Sequence, residues 1–429
     1  MRILLIPALL AASPALAQAD DQPDPARLRT TVEALVGFGT RHTLSTTADP
    51  TRGIGAARDW AAAQFEAIGA ACGGCITVER PSRHFTGPRA SDGVVVEDVL
   101  GIQKGSDPNR IVIVGAHIDS RVTDVMDVTS DAPGANDDGS GSALVLEAAR
   151  LLSKHKFKAT IVYALFSGEE QGLWGSTLLA DLAKARGWQV DAMLNNDIVG
   201  NTMGQNGVRV ADRVRVFSEG IRASESLVEQ MARRADGGED DGPSRALAKA
   251  IDHVGEKVGG LDVFVDRRSD RFGRGGDHEP FLELGYPAVR FSVGAENWTQ
   301  QHQDLRTENG VVYGDTIDKM DFPYLAKVTA INVATLARLA AAPAAPKAVA
   351  ISGALSFDTT VKWEAVPDAV GYRVYWRRND TRDWTDHRDV TGTETVLENV
   401  SVDDHFVGVS ALAADGSESL VTFGGRGRR

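Results

Sequence analysis

Acidic residues and histidines of this chain stand at the ends of short apolar runs, where their side chains would meet. The run Ile111–Val114 leads into Gly115-Ala116-His117-Ile118-Asp119-Ser120, Thr160–Phe166 into Ser167-Gly168-Glu169-Glu170, and Ala192–Leu194 into Asn195-Asn196-Asp197. Between the first two lies Pro133-Gly134-Ala135-Asn136-Asp137-Asp138-Gly139-Ser140-Gly141, a glycine-rich loop that opens a helix near Gly141 and puts Asp137 at its start. Each residue alone has an ordinary reading: a capping acid, a satisfied histidine, a solvated Glu169-Glu170 pair. Together those readings fail, because converging carboxylates without a counter-charge repel and shift one another's pKa by units. A pair of divalent metal ions removes the conflict. Zinc accepts imidazole nitrogen and carboxylate oxygen, and two ions about 3.5–4 Å apart need a bridging carboxylate with terminal ligands on either side. His117, Asp137, Glu170 and Asp197 supply four ligands, and a second histidine is required. Of nine histidines, His302 in Gln300-Gln301-His302-Gln303-Asp304 is best placed, in a polar loop after the last apolar run; His278 in Gly276-Asp277-His278-Glu279-Pro280-Phe281 competes.

The elements that would position these residues alternate. The three runs above and a fourth, Ala288–Phe291, are short, uninterrupted and bounded by polar residues or glycine, as suits strands buried on both faces. Helical spacing fills the gaps at Gly141–Ser153 and Gly172–Arg186, and again at Phe322–Leu339. The expected fold is therefore α/β: a mixed, mostly parallel sheet flanked by helices, with ligands bound beyond the carboxyl ends of its strands.

His117-x-Asp119, Asn136-Asp137-Asp138-Gly-Ser-Gly, Glu169-Glu170, Asn196-Asp197, Asp277-His278-x-Pro280-Phe281 and His302, in this order, resemble the zinc-dependent exopeptidases of family M28, whose secreted members are mostly aminopeptidases. The resemblance spans about residues 26 to 340. It implies two zinc ions bridged by Asp137, with His117 and Asp197 completing one site and Glu170 and His302 the other. It implies Glu169 as general base, and Asp119 as acceptor of a hydrogen bond that fixes the His117 tautomer. Some members carry a tyrosine just before the last histidine that stabilises the oxyanion; Gln301 stands there, leaving that role unassigned. Asp277 and His278 read as a turn and helix start rather than ligands. Arg274 is a weak candidate for substrate contact, and residues 218–260 fit a lid or a surface excursion equally. Other readings remain: a carboxypeptidase or other M28-type amide hydrolase, and a non-catalytic binding protein on the same scaffold. Intact Glu169 and five ligands argue against the last.

The rest of the sequence sets the context. At 429 residues, 42% apolar and 24% charged, the chain has the composition of a folded protein of two or three domains. Its net charge of −13 disfavours nucleic acid as a partner. Arg2, the apolar Ile3–Leu10 and a small-residue site near Ala17 or Ala19 read as a secretory signal peptide over residues 1–19, of a bacterial, secreted or periplasmic protein. No later apolar run is long enough to span a membrane. A peptidase domain over 20–340 and an Ala/Pro linker over 341–348 precede residues 349–429, whose alternating runs predict a small all-β sandwich with a basic tail. Trp363, the strand Gly371–Trp376 and Phe406–Ala411 resemble a fibronectin type III domain, and such appendages can contact polymers or cell surfaces. From Pro346 on lie ten basic and thirteen acidic residues, so −10 of the charge precedes the seam. Cys72 and Cys75 fit a local disulfide of an oxidising compartment better than a redox motif or a zinc half-site.

Overall fold

A computed structural model describes residues 22–427; the leader read over 1–19, and Arg428 and Arg429 of the basic tail, lie outside the described residues. The described chain forms two compact units, 23–341 together with 380–383, and 342–379 together with 384–427.

The first unit is built on one sheet. Strand β1 (Ile76–Glu79) is followed by a hairpin of β2 (Ser82–Gly87) and β3 (Ala90–Glu97). Then come β4 (Val99–Gln103), β5 (Asp107–His117), β6 (Ala159–Phe166), β7 (Gln189–Asn196), β8 (Arg213–Phe217), β9 (Asp262–Asp266) and β10 (Ala288–Val293). Apart from the hairpin they pair in the order β1-β4-β6-β5-β7-β10-β8-β9. The central four, β6, β5, β7 and β10, are parallel, and each contains one of the apolar runs. Four further strands were not foreseen: β4 pairs antiparallel with β6 and β1 antiparallel with β4 on one side, while β8 pairs antiparallel with β10 and parallel with β9 on the other.

Helices α1 (Pro25–Val36), α2 (Gly53–Ala71), α3 (Gly139–Leu152), α4 (Glu169–Gly172), α5 (Trp174–Ala185), α6 (Leu227–Asp236), α7 (Pro243–Val258), α8 (Glu279–Glu283) and α9 (Phe322–Ala341) complete the unit. Ile111, Ile113, Val162, Ala164 and Phe166 form one core with Leu179 and Ala183 of α5 and Phe281 of α8. The alternate residues of β5 and β6 are equally buried, and α3 and α9 pack on these strands. Burial on both faces explains why these strands read as unbroken apolar sequence. Chain order and sheet order part at β5, since β5 to β6 steps one way and β6 to β7 crosses to its other side. Such a switch point leaves a crevice at the strand ends.

Local sequence sets that end of the sheet. Asp138, not Asp137, caps α3, accepting from the Gly141 amide at 2.9 Å. A Cβ on Gly141 would lie 2.1 Å from the Asn196 carbonyl oxygen, so only glycine lets the helix start close on β7. Within residues 218–260, α7 is part of the packed domain, with Leu247, Ile251 and Val254 buried and the helix lying on β9, β10 and α9, whereas α6 is a surface excursion without a buried residue.

Arg41 ties the loops above the sheet. Its buried guanidinium donates to the carbonyls of Ile118 (2.7 Å), Leu35 (3.1 Å), Pro133 (2.6 Å) and Gly134 (2.9 Å). Arg41→Ala would strand four carbonyls and should cost about 3 kcal/mol. Denaturant unfolding checks this; a loss below about 1 kcal/mol would show that water replaces the guanidinium.

After the hairpin of β11 (Arg306–Glu308) and β12 (Val311–Tyr313), the second unit contains β13 (Ala350–Ser352), β14 (Thr359–Lys362), β15 (Gly371–Arg378), β16 (Asp386–Val390), β17 (Glu394–Leu397), β18 (His405–Leu412), β19 (Thr422–Phe423) and β20 (Gly425–Arg426). They form two four-stranded sheets, β17-β14-β13-β20 and β16-β15-β18-β19. Val361 and Leu397 of one share a core with Val374, Val407 and Val409 of the other. The Trp363 and Tyr372 rings meet edge to face at 5.3 Å, and the Tyr372 hydroxyl accepts from the Val366 amide. Cys72 and Cys75 are disulfide-bonded at the end of α2.

Candidate metal centre

Each chemically suggestive residue sits at the carboxyl end of the sheet because a strand or its following loop ends there. His117 is the last residue of β5, Asp197 follows β7, Glu169 and Glu170 open α4 after β6, and His302 lies in the loop after β10. Asp137 comes from the turn before α3. Its two carboxylate oxygens point to different histidines: Oδ1 lies 3.2 Å from His117 Nε2, and Oδ2 lies 3.0 Å from His302 Nε2. Asp197 Oδ1 stands 3.8 Å from His117 Nε2, and Glu170 Oε1 stands 3.0 Å from His302 Nε2. Two groups result, His117-Asp137-Asp197 and Asp137-Glu170-His302, each with donor atoms within 4.8 Å of one another. His117 Nε2, Glu170 Oε1 and Asp197 Oδ1 are buried without a hydrogen-bond partner. Buried lone pairs converging in this way suit a cation, and the nitrogen and oxygen donors suit zinc.

The surroundings hold these donors in place. The main-chain amides of Asn136 and Asp137 donate to Asp315, the second at 2.7 Å, and burial pushes the Asp315 carboxyl up to about 7 despite that bond. Arg290, fully buried in β10, pairs with Asp197 Oδ2 at 2.9 Å and with Asp270 at 3.1 Å. Arg121 donates from Nε to Glu170 Oε2 at 2.8 Å, and its Nη2 lies 2.7 Å from His302 Nδ1. His302 (φ 51°) and Ile198 beside Asp197 (φ 60°) have left-handed backbones, strained for such residues and maintained by their surroundings.

Asp119 faces His117 Nδ1 with two acceptors. Its main-chain carbonyl lies 3.1 Å from the ring nitrogen and its carboxylate 3.6 Å, close enough to favour the charged imidazole. That carboxylate accepts from Thr43 Oγ1 (2.7 Å) and the amides of Glu169 (3.3 Å) and Glu170 (3.2 Å). It thus also fixes the turn that carries both glutamates.

Titration follows the crowding. Burial, then Glu170 and Asp197, hold the Glu169 carboxyl well above its ordinary range against the pull of His117. Burial opposes charge on His117, but Glu169 and the three aspartates around it raise its pKa. His302 is pushed up to about 10, its burial outweighed by Glu170 and Asp137. Burial opposes ionisation of Asp137, yet His302 and His117 draw it well below the usual carboxylate range.

A cavity of ≈ 290 Å³ opens beside both groups, lined by Glu169, Asp137, Asp197, His302 and Arg274 among others. None of its lining residues comes from 218–260. The sequence had not singled out Arg89, Arg121, Arg271 or Glu279 of this wall; the one legible signal was Arg121, two residues after Asp119 in the same loop. Residues 98–336 match the model of Peptidase family M28. The chain belongs to peptidase family M28. A probable zinc metalloprotease of Pyrenophora teres f. teres is 42% identical over 411 residues, 94% of this chain and 85% of that protein. The crystal structure of LapB from Legionella pneumophila is similar in fold at 18% identity, with a TM-score of 0.53 over 76% of each chain. Porphyromonas gingivalis glutaminyl cyclase has a TM-score of 0.51 at 18% identity, over 74% of this chain and 99% of that one. The M28 fold therefore does not by itself fix the reaction.

Other residues of the M28 motifs stand outside both donor groups. His278 Nε2 lies 2.8 Å from the Ser269 carbonyl oxygen, at the start of α8, and Asp277 is buried beside it. Gln301 donates to Glu296 Oε2 at 3.3 Å and accepts from Arg274 at 3.4 Å.

Proposed function

We propose that this M28 peptidase is a dizinc aminopeptidase that removes N-terminal residues from peptides outside the cytoplasm. The observation that carries the reading is a pair of donor groups sharing Asp137, with buried unpartnered donor atoms, beside the Glu169 carboxylate in an open cavity. His117, Asp137 and Asp197 would hold one zinc ion, and Asp137, Glu170 and His302 the other. The relatives' description as zinc metalloproteases supports the choice of metal. When bound, zinc supplies a Lewis acid that polarises the scissile carbonyl and lowers the pKa of water.

The chain's own residues do the rest. Glu169 takes a proton from the attacking water and returns it to the leaving amine. Asp119 positions Glu169 through its amide. Glu279 lines the same cavity, and no cation pairs with it among the described residues. Burial, then Asp270 and Glu283, push its carboxyl up to about 7, and a substrate α-ammonium would supply the missing positive charge.

Export is supported by the leader-like first nineteen residues and by the Cys72–Cys75 disulfide, a bond typical of oxidising compartments. The chain is then read as a peptidase domain over 20–340, a linker over 341–348 and a fibronectin type III-like sandwich over 349–429. The sandwich is read as a contact to a polymer or cell surface.

Hydrolysis of aminoacyl-p-nitroanilides against N-blocked peptides, with and without chelator, tests the reading. Chelator-sensitive cleavage of free amino termini alone is expected. Cleavage of blocked substrates only, or indifference to chelator, would overturn it.

A further inference from the structure

The cavity beside the donor groups is lined by four arginines, Arg89, Arg121, Arg271 and Arg274. A site that met only an α-ammonium would gain nothing from guanidinium groups, which repel it. Two of the four are committed within the protein: Arg121 to Glu170 and His302, Arg271 to Asp270 at 2.9 Å.

The other two carry surplus charge. Glu296, almost buried, meets three arginines, Arg215 (2.7 Å), Arg271 (3.4 Å) and Arg274 (2.7 Å). Arg290 shares Asp270 with Arg271 and also takes Asp197. Direct ion pairs thus set four guanidinium groups, Arg215, Arg271, Arg274 and Arg290, against three carboxylates, Glu296, Asp270 and Asp197. Asp197 also faces His117. The unbalanced charge falls to the arginine in best contact with solvent: the Arg274 side chain is 34% exposed, against 20%, 9% and 0% for Arg215, Arg271 and Arg290. Arg89 is simpler, since it donates to the main-chain oxygen of Glu170 and no carboxylate pairs with it among the described residues. Glu296 and Gln301 hold Arg274 from behind, so its fork is oriented before any ligand arrives.

We propose that Arg89 and Arg274 recognise a carboxylate of the substrate, making this site selective for anionic peptides. Planar guanidinium forks match carboxylate geometry and form strong charge-assisted bonds with it. The inference rests on the peptidase reading of this cavity. Two sources present the same group, an acidic side chain at the peptide's N-terminus and the free C-terminal carboxylate of a dipeptide.

Calorimetric titration of the zinc-loaded Glu169→Gln protein, which would not consume its ligands, separates them. Glu-Leu-Ala amide against Gln-Leu-Ala amide reads the side-chain source, and Ala-Leu against Ala-Leu amide reads the terminal one. In at least one pair the carboxylate should bind about tenfold more tightly than its neutral isostere. In the Arg89→Gln/Arg274→Gln protein that ratio should fall within about twofold of unity, while Arg89→Lys and Arg274→Lys should keep part of it. Equal affinities within both pairs, or a preference surviving loss of both arginines, would overturn the proposal. Wild-type protein that hydrolyses neutral peptides and shows no carboxylate preference would overturn this inference alone. Carboxylate preference without hydrolysis of any peptide would overturn the peptidase reading and leave the anion site standing.

Discussion

Glu169→Gln is expected to lower kcat about a thousandfold while zinc content stays unchanged, as befits loss of a general base. Glu169 opens α4 and is held by its amide on the Asp119 carboxylate, an attachment that glutamine keeps. Its carboxylate belongs to neither donor group, so the metal has no reason to leave. Burial, Glu170 and Asp197 raise its proton affinity, which is what a base needs if it is to take a proton from water and hold it until the amine leaves. Glutamine has the same shape and cannot shuttle a proton. KM should move by no more than about threefold, since the lost interaction is made in the transition state. Steady-state kinetics with metal analysis of the same sample decide the matter. Residual activity above about a tenth, or zinc lost in proportion to kcat, would assign Glu169 a structural task.

How much of this was legible depends on how local each cause is. The strands β5, β6, β7 and β10 were readable because burial on both faces leaves an unbroken apolar run. The donor residues were readable because each follows such a run directly. Arg290 was not: it lies inside the apolar run Ala288–Phe291, and its partners Asp197 and Asp270 are brought to it only by the fold. Arg41 and Asp315 were missed for the same reason, since they act on main-chain groups distant in sequence. The sequence put Asp137 at the start of α3, whereas Asp138 is the residue that caps it. The close approach of Gly141 to Asn196 makes Asp138 the cap and frees Asp137 to face the histidines. Strand β8 and the edge strand β9 beyond it failed differently, because Arg213 and Arg215 of the one and Asp262 and Asp266 of the other break up the apolar residues.

On the proposed dizinc reading, Asp137→Ala should take bound zinc from two ions per chain to fewer than one, a larger loss than His117→Ala or His302→Ala. Each histidine serves one donor group, whereas Asp137 presents one oxygen to each. Removing it breaks both at once. Stability should follow the metal, because Asp137, Glu170 and Asp197 are buried together and the unmatched donor atoms there are satisfied only by a cation. At free zinc a thousandfold above the dissociation constant, binding to the folded state alone contributes about 4 kcal/mol. For a domain of this size that amounts to an upward shift of about 6 °C in the unfolding midpoint. The chelated wild-type protein should lose the shift and recover it on adding zinc, while Asp137→Ala should show little shift in either state. Inductively coupled plasma measurement of zinc beside thermal scans reads both quantities. Retention of a full ion by Asp137→Ala would mean that one group binds without the shared carboxylate, and the bridging role would fall. A wild-type midpoint indifferent to chelator would mean that the carboxylates are compensated from within the chain, with Arg290 and Arg121 as the counter-charges already in contact.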